Sequence, residues 1–354
     1  MNVAIDHSPL VSKHKLAHKI RGTGFYTKNL IQALQEYHPE NTYTLFTQGE
    51  KIGNVDVFHI PYFEPFFLSL PFLKQGKTVV TIHDLTPLVF PELFPAGTKG
   101  KLKYLIQRNI VKFSDAIITD SDSSKKDIVK LLNIPSSKVF SIPLASDEIY
   151  KYLELSTTKK QDVCKKYNLP EKFALYVGDA TPNKNLKRLI DASLLGNIPL
   201  VMVGSALANK IVDPDNPWNT ELVYVQKKAQ ENKNIFLLGF LPTEDLLLLY
   251  NTATFFAFPS FYEGFGLPLL EAASCGLPIL ACNKSSIPEV VGDAALYVDP
   301  LDVSEIKNGM VKLLEDSRLR NNLIEKGLNQ SKKFSWNKTA DETSMVYEEI
   351  YRKT

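Results

Sequence analysis

Residues 259–281 read PSFYEGFGLPLLEAASCGLPILA and predict a strand, a turn and a helix in direct succession. The apolar residues up to Pro259 predict a buried strand, and Glu263–Gly266 supplies a turn that contains two glycines. Pro268 fits the first turn of the helix, where a missing N–H costs little. Because the N–H groups of residues 265–267 then point out of the positive end of the helix, this segment predicts an anion site suited to a diphosphate.

Two glutamates, Glu263 and Glu271, stand on either side of the predicted helix start with seven residues between them. Carboxylates accept hydrogen bonds from sugar hydroxyls. Their separation allows distinct roles, with Glu263 near the turn and Glu271 one turn inside the helix, in reach of a more distant pair of hydroxyls. The alternative is a capped strand–turn–helix whose two glutamates are solvated.

Short apolar runs alternate with helical patterns along the rest of the chain. Most runs are apolar throughout, which is typical of parallel strands buried on both faces. The alternation predicts a doubly wound α/β architecture, in which ligands lie beyond the carboxyl ends of the strands. The predicted strands span 2–6, 43–47, 55–60, 78–83, 116–119, 138–142, 173–177, 200–203, 235–238, 254–258, 278–281 and 295–298. Helices are predicted at, among others, 25–37, 101–113, 185–195, 243–251, 317–333 and 335–352.

The alternation is interrupted once, by the polar stretch 145–162. We therefore predict a first domain at 1–155 and a second at 156–334, followed by a last helix within 335–354. Ser335 is suited to be the N-cap of that helix. The length agrees with two domains, because 354 residues exceed one ordinary core.

The composition excludes several classes of protein. Hydrophobic residues make up 44% and charged residues 23%, which are globular values, and a net charge of +2 gives no case for a nucleic-acid partner. Three cysteines (Cys164, Cys275 and Cys282) are too few for a disulfide framework, so we expect a cytoplasmic protein. No signal peptide or membrane span is predicted, because the apolar stretches fall short of the ~20 residues that a span needs.

The segment 259–281 resembles the donor-binding motif of glycosyltransferase family 4, whose members are retaining enzymes with the GT-B fold. The shared pattern is two glutamates separated by seven residues, with a Gly-Phe-Gly-Leu-Pro turn between them. The resemblance covers nearly the whole chain, in the order of the family. The further segments that resemble the family are RGTGFYTKNLIQAL (21–34), TIHDLTPL (81–88), SDAIITDSDSSKKDI (114–128), LYVGDATPNKNLKRLI (175–190) and GFLPTEDLLLLY (239–250).

This resemblance implies two Rossmann-like domains that face each other across a cleft. The first would lie on the acceptor side, the second would bind a nucleotide sugar, and the last helix would pack back on the first. The implied reaction moves a sugar, with retention, from a UDP- or GDP-sugar to a hydroxyl of a glycan, polysaccharide or lipid-linked saccharide. It uses neither a metal nor another cofactor, and front-face substitution is the implied route.

The resemblance also implies roles for single residues. Glu263 contacts the donor sugar, Glu271 holds the ribose and Lys184 neutralises the diphosphate. His83 approaches the donor sugar, so the predicted catalytic residues are His83, Lys184 and Glu263. The predicted donor-binding residues are Gly22, Gly24, Asn183, Lys184, Arg188, Gly239, Phe240, Leu241, Glu263, Gly264, Phe265, Gly266, Leu267 and Glu271.

The basic loop departs from the family at one position. Many relatives have Arg-Lys-Asn where this chain has Asn183, Lys184 and Asn185. The cation is either missing or supplied by Arg188, which follows Lys184 by about one helical turn. A sugar-nucleotide-binding module without catalysis therefore stays an alternative, and a phosphorylase or synthase on the same fold is a third.

Two further motifs end predicted strands. His83 and Asp84 are neighbours whose side chains point to opposite sides, and we predict that His83 points inward and Asp84 is a structural cap. Asp120 and Asp122 form a DxD pattern, which in a metal-dependent GT-A-type transferase would hold a metal on the diphosphate. The competing interpretation makes Ser121 or Asp122 the N-cap of the next helix.

Basic and apolar residues of the first domain bear on the acceptor. The loop before Gly22 contains Lys13, Lys15, Lys19 and Arg21, and Phe66–Leu73 is apolar. Basic charge beside apolar surface suits a lipid-linked acceptor and peripheral contact with the inner membrane face. A solvated loop that serves a soluble saccharide is the equal alternative.

Overall fold

The computed structural model describes residues 1–11, 22–71, 76–208 and 212–353. The chain divides into two compact units, one formed by Met1–Ala145 with Phe334–Thr354 and the other by Ser146–Lys333. None of the described helices is long and apolar enough to cross a bilayer.

The first unit contains a six-stranded sheet. Its strands are β1 (Asn2–Asp6), β2 (Thr42–Phe46), β3 (Val57–Ile60), β4 (Lys77–Thr81), β5 (Ala116–Thr119) and β6 (Val139–Ser141). They lie in the order β2-β1-β3-β4-β5-β6, and every pairing is parallel. All residues of β3 and β5 are buried, as expected of strands covered on both faces.

Among the residues that the structure describes, four α-helices accompany this sheet before the chain leaves the unit. They are α1 (Gly22–Tyr37), α2 (Thr86–Val89), α3 (Gly97–Val111) and α4 (Asp122–Leu132). Since α1 begins at Gly22, Gly22 and Gly24 belong to its first turn, and the predicted start of this helix at residue 25 is three residues late. In the same way β4 ends at Thr81, so His83 lies beyond the strand and not within it. Asp84 Oδ1 accepts a hydrogen bond from Thr86 N at 2.8 Å and so supports the turn ahead of α2, whose N-cap is Leu85.

The second unit also contains a six-stranded parallel sheet. Its strands are β7 (Ala174–Val177), β8 (Leu200–Val203), β9 (Ile235–Gly239), β10 (Phe255–Phe258), β11 (Ile279–Ala281) and β12 (Ala295–Tyr297). Their order is β12-β11-β10-β7-β8-β9, again parallel throughout. Its helices are α5 (Thr157–Lys166), α6 (Leu186–Leu195), α7 (Thr220–Glu231), α8 (Thr243–Tyr250), α9 (Leu267–Ser274), α10 (Ile287–Val291), α11 (Val303–Glu315) and α12 (Ser317–Ser331).

The last helix, α13 (Trp336–Arg352), belongs to the first unit. Ser335 is its N-cap, with Oγ 3.3 Å from Lys338 N. Thr339 Oγ1 donates to Pro143 O at 2.7 Å, and the indole of Trp336 packs edge-on against Phe25 of α1, with ring centroids 5.9 Å apart. Hydrogen bonding and aromatic packing therefore hold the end of the chain on this unit.

All twelve predicted strands correspond to strands of the described chain, and the predicted α/β class is confirmed. Helix α5 begins within the polar stretch 145–162, and its buried residues are Val163 and Cys164. A helix that buries so little carries a weak apolar period, which is why the pattern did not predict it.

Candidate active site

The turn between β10 and α9 has the geometry that its sequence predicts. Gly266 is the N-cap of α9 and has a φ of 104°, in the left-handed region. A Cβ at this position would lie 3.0 Å from Leu269 Cδ1, so both the backbone and the available space call for glycine. Because α9 starts beyond the carboxyl end of β10, its positive end lies where the sequence predicts an anion site, and the binding of a diphosphate there stays a prediction.

Two serines after β11 hold this turn. Ser285 has a φ of 53°, and its Oγ donates to Glu263 O at 2.7 Å. The Oγ of buried Ser286 lies 2.9 Å from the carbonyl oxygens of both Glu263 and Phe265. The main chain on both sides of Gly264 is therefore fixed by a loop that the motif does not include.

Lys184 and Glu263 form an ion pair at the turn, in which Glu263 is buried and Lys184 is partly exposed. Lys184 ends a short 3-10 turn that follows β7, and its Nζ lies 2.8 and 2.7 Å from Oε1 and Oε2 of Glu263. The two side chains are 17% and 8% exposed, and the ammonium also lies 5.5 Å from the ring centroid of Phe258. Each charge depends on the other for its stabilisation. The structure thus brings together the two predicted catalytic residues of this unit.

The asparagines on either side of this lysine tie its loop to neighbouring loops. Asn183 Nδ2 donates to Tyr262 O at 2.9 Å, and Asn185 Nδ2 donates to Pro300 O at 2.7 Å. Arg188 Nη1 in turn donates to Asn185 Oδ1 at 3.0 Å. These bonds support the turn, and the predicted contacts of Asn183 and Arg188 with a donor stay predictions.

Glu271 lies on α9 beside two tyrosines. Tyr250 OH donates to Glu271 Oε2 at 2.8 Å, and Tyr150 packs edge-on against the ring of Tyr250. Burial raises the pKa of Glu271 to about 7, while the hydrogen bond from Tyr250 acts in the opposite direction and the charge of Asp147 adds to the rise. The carboxyl group therefore titrates near neutral pH, and its ionised form can accept hydrogen bonds from a pair of hydroxyls.

The predicted loop for the nucleotide base begins where β9 ends. Gly239 has a φ of 65°, and its carbonyl oxygen accepts a hydrogen bond from Gly204 N at 2.9 Å. Phe240 follows it and is 78% exposed, with Leu241 partly buried beside it. An exposed ring beyond a strand end offers a surface on which a flat ligand can stack, and the contact of these residues with a base stays a prediction.

In the first unit, Asp120 holds His83. His83 follows β4, Asp120 follows β5, and His83 Nδ1 lies 2.8 Å from Asp120 Oδ2. Burial lowers the pKa of His83, but the charge and the hydrogen bond of Asp120 raise it, and the net shift is upward. Ser121 is the N-cap of α4 through a bond from Ser124 N, while Asp122 is exposed in the first turn. Asp120 therefore pairs with the imidazole of His83, a contact that the interpretation of Asp120 and Asp122 as metal ligands does not predict.

A chain of buried polar groups lies behind His83. The ring of Tyr26 packs edge-on against that imidazole at 4.8 Å, and Tyr26 OH lies 3.0 Å from Thr81 Oγ1. Thr81 Oγ1 is 2.8 Å from His59 Nε2, and His59 Nδ1 is 2.6 Å from Tyr347 OH on α13. Burial lowers the pKa of His59 to about 3, so its ring is neutral. The sequence does not predict this hydrogen-bonded network, because its residues lie on four elements that are far apart in the polypeptide.

Comparison with known proteins identifies the family. The family described as "Glycosyl transferases group 1" matches residues 159–330, and "Glycosyltransferase Family 4" matches residues 39–148. The chain is 33% identical over 325 residues to O-antigen chain mannosyltransferase B of Escherichia coli, which covers 90% of this chain and 80% of that protein. The chain belongs to the group 1 glycosyl transferases of family 4.

This glycosyltransferase is also similar to one much longer protein and to several solved structures. The serotype-specific mannosyltransferase WbdA of Escherichia coli is 33% identical over 272 residues, which are 75% of this chain and 32% of WbdA. Among solved structures, sucrose-phosphate synthase from Thermosynechococcus elongatus matches with a TM-score of 0.76 at 18% identity over the whole of both chains. WaaG, described as a glycosyltransferase involved in lipopolysaccharide biosynthesis, matches with a TM-score of 0.67 at 14% identity over 98% of this chain and 99% of WaaG.

These likenesses confirm the GT-B fold of the glycosyltransferase, and the alternative of a GT-A-type enzyme is wrong. The enzymatic interpretation is confirmed against a module without catalysis. The roles assigned to single residues stay predictions. The basic residues Lys13, Lys15, Lys19 and Arg21 lie outside the described residues.

Proposed function

We propose that this enzyme transfers a mannosyl group from a nucleoside diphosphate mannose to a saccharide hydroxyl, with retention of the anomeric configuration and without a metal ion. The observation that carries the proposal is the ion pair of Lys184 and Glu263 beside the start of α9. The sugar is suggested by the Escherichia coli relatives, which are named mannosyltransferases.

Lys184 and the positive end of α9 suit the departure of a diphosphate. A bound diphosphate would compete with Glu263 for the Nζ of Lys184, while its oxygens accept hydrogen bonds at the start of α9. Negative charge grows on the leaving phosphate as the glycosidic bond breaks, and these fixed positive groups stabilise it most at that moment. Glu263, released in part from Lys184, would then accept hydrogen bonds from the donor sugar.

Retention follows from a front-face substitution. The bond between the anomeric carbon and the diphosphate oxygen breaks, and the acceptor oxygen forms a bond on the same face of the sugar. The proton of the acceptor hydroxyl passes to the departing diphosphate oxygen, so atoms and charge balance. His83, held by Asp120, is proposed to contact the donor sugar, and Glu271 to hold the ribose.

The acceptor is proposed to be a lipid-linked saccharide of the O-antigen kind. This rests on the name of the relative, O-antigen chain mannosyltransferase B, whose length the chain covers to 80%. We place the enzyme in the cytoplasm, in peripheral contact with the inner face of the membrane where such an acceptor would be found.

The test is a transfer assay with GDP-mannose, UDP-glucose and UDP-N-acetylglucosamine and a lipid-linked saccharide acceptor dissolved in detergent. We expect turnover with GDP-mannose and a product whose anomeric configuration, read by NMR, equals that of the donor. Glu263→Gln is expected to lower turnover far more than donor affinity, and Glu315→Gln, an exposed glutamate at the end of α11, serves as the matched control. An inverted product, or wild-type turnover in Glu263→Gln, would overturn the mechanism.

Metal independence has its own test. Protein purified without metal and assayed in excess EDTA is expected to keep its transfer rate, because Lys184 and the N–H groups at the start of α9 supply the positive charge. Complete loss of activity that Mn²⁺ restores would show that a metal takes part.

A further inference from the structure

One helix of the first unit presents apolar side chains to solvent. Leu102, Leu105 and Phe113, on or just after α3, are 61%, 53% and 72% exposed. Leu102 and Leu105 are one helical turn apart, and Phe113 lies in the turn that follows the end of α3; we call these three exposed residues the apolar stripe. The outward stripe of a globular helix is normally polar, and an apolar one indicates a partner surface.

The same helix is strongly basic. Residues 97–112 contain Lys99, Lys101, Lys103, Arg108 and Lys112 and no acidic residue. The ammonium of Lys103 lies 5.5 Å from the ring centroid of Phe67, which is itself exposed beside Leu68. Basic side chains therefore flank the apolar stripe on a surface shared by α3 and residues 66–68.

This surface is fixed in its outward orientation by the opposite side of the helix. Gln107 is fully buried, and its Oε1 accepts hydrogen bonds from Ser69 N at 3.0 Å and from Leu70 N at 2.9 Å. The rings of Phe66 and Tyr104 pack edge-on, 6.4 Å apart. Because these contacts lock helix and loop together, the stripe of Leu102, Leu105 and Phe113 does not reach the core by rotation of α3.

We propose that this surface, Leu102, Leu105 and Phe113 with the exposed residues Phe67 and Leu68 and the basic residues of α3, docks on an anionic lipid bilayer. Apolar side chains flanked by basic ones match a membrane interface, where the apolar face enters the headgroup layer and the charges meet anionic lipids. A second copy of this chain fits less well, since the basic side chains of α3 would then face those of the second copy. The inference rests on the proposed membrane contact and names the surface that makes it.

The experiment is co-sedimentation with vesicles of phosphatidylcholine alone and of phosphatidylcholine mixed with phosphatidylglycerol. We expect the wild type to bind the anionic vesicles, with affinity that falls as salt is added. The triple variant Leu102→Ser, Leu105→Ser, Phe113→Ser should bind at least about tenfold more weakly, since its apolar stripe is gone. Thermal melts establish that each variant is folded, which exposed positions favour.

A matched control replaces Leu195 and Leu301 by Ser, because these residues of the other unit are 64% and 66% exposed. This control should bind vesicles as the wild type does. The proposal is overturned if the wild type ignores anionic vesicles, if the triple variant binds them unchanged, or if the stripe instead drives dimerisation seen by light scattering. Transfer from GDP-mannose to a detergent-dissolved lipid-linked saccharide should survive in the triple variant. Its absence in the wild type would contradict the proposed function but would leave the result on vesicle binding unaffected.

Discussion

Donor affinity should depend on pH through Glu271. The pKa of this carboxyl group is raised to about 7 by burial, and its ionised form is the better acceptor for ribose hydroxyls. With that pKa the ionised fraction is about one eleventh at pH 6 and about ten elevenths at pH 8. If binding requires the ionised form, affinity should rise about tenfold between pH 6 and pH 8, or about 1.4 kcal/mol.

The assay is calorimetric titration with GDP-mannose in the absence of acceptor. Each phosphate of this ligand is a diester without a second ionisation, so a change with pH reports on the protein. Glu271→Gln should remove the inflection and weaken binding at pH 8 by roughly 1.5–3 kcal/mol, the range for a lost charged hydrogen bond. Tyr250→Phe deletes the bond that lowers the pKa of Glu271 and should therefore move the inflection to higher pH.

The ionisation of Glu271 should also affect the stability of the unliganded protein, which is expected to fall with rising pH whereas donor affinity rises. A pKa raised above the unfolded value of 4.5 means that the folded state holds the proton more tightly, so stability declines as pH rises from 4.5 through 7. Glu271→Gln should therefore be more stable than the wild type at pH 8, by up to roughly 3 kcal/mol. Affinity independent of pH, together with a Glu271→Gln variant no more stable than the wild type, would refute the reasoning.

Three further predictions concern the other groups of the site. Lys184→Met should lower the free energy of unfolding in urea by about 3–5 kcal/mol, because it leaves Glu263 buried and unpaired. The double variant Lys184→Met, Glu263→Gln should recover most of that loss. The control is Lys166→Met, which removes an exposed ion pair with Asp245 and should change the stability little. Asp120→Asn should lower the pKa of His83 in an NMR titration, since the charge that raises it is removed, and an unchanged or higher pKa would contradict the assignment. Gly266→Ala should cost about 1–2 kcal/mol because its φ of 104° is left-handed, whereas Gly53→Ala, where a Cβ meets nothing within 4 Å, should be nearly neutral.

The part of the site between Glu263 and Glu271 could be placed from the sequence, because these residues are local to one strand–turn–helix. The turn at Glu263–Gly266, the helix after it and the cap at Ser335 all appear where the pattern predicts them. The start of α1 was predicted late because glycines in the first turn of a helix read as a loop. The order of the strands in each sheet was left open, since the apolar runs fix which segments are strands but not which of them are neighbours.

By itself, the sequence determined the α/β class, the twelve strands and the segment that starts the anion site. These depend on period, glycine and proline positions and caps, all of which act over a few residues. Only the tertiary structure decided that Lys184 pairs with Glu263 and that Asp120 holds His83. The partners in these pairs lie 79 and 37 residues apart and meet because neighbouring parallel strands end at one edge of a sheet. The pKa of Glu271 is likewise a property of the assembled protein, because burial beside Tyr250 is set by packing and not by the residues next to it in the chain.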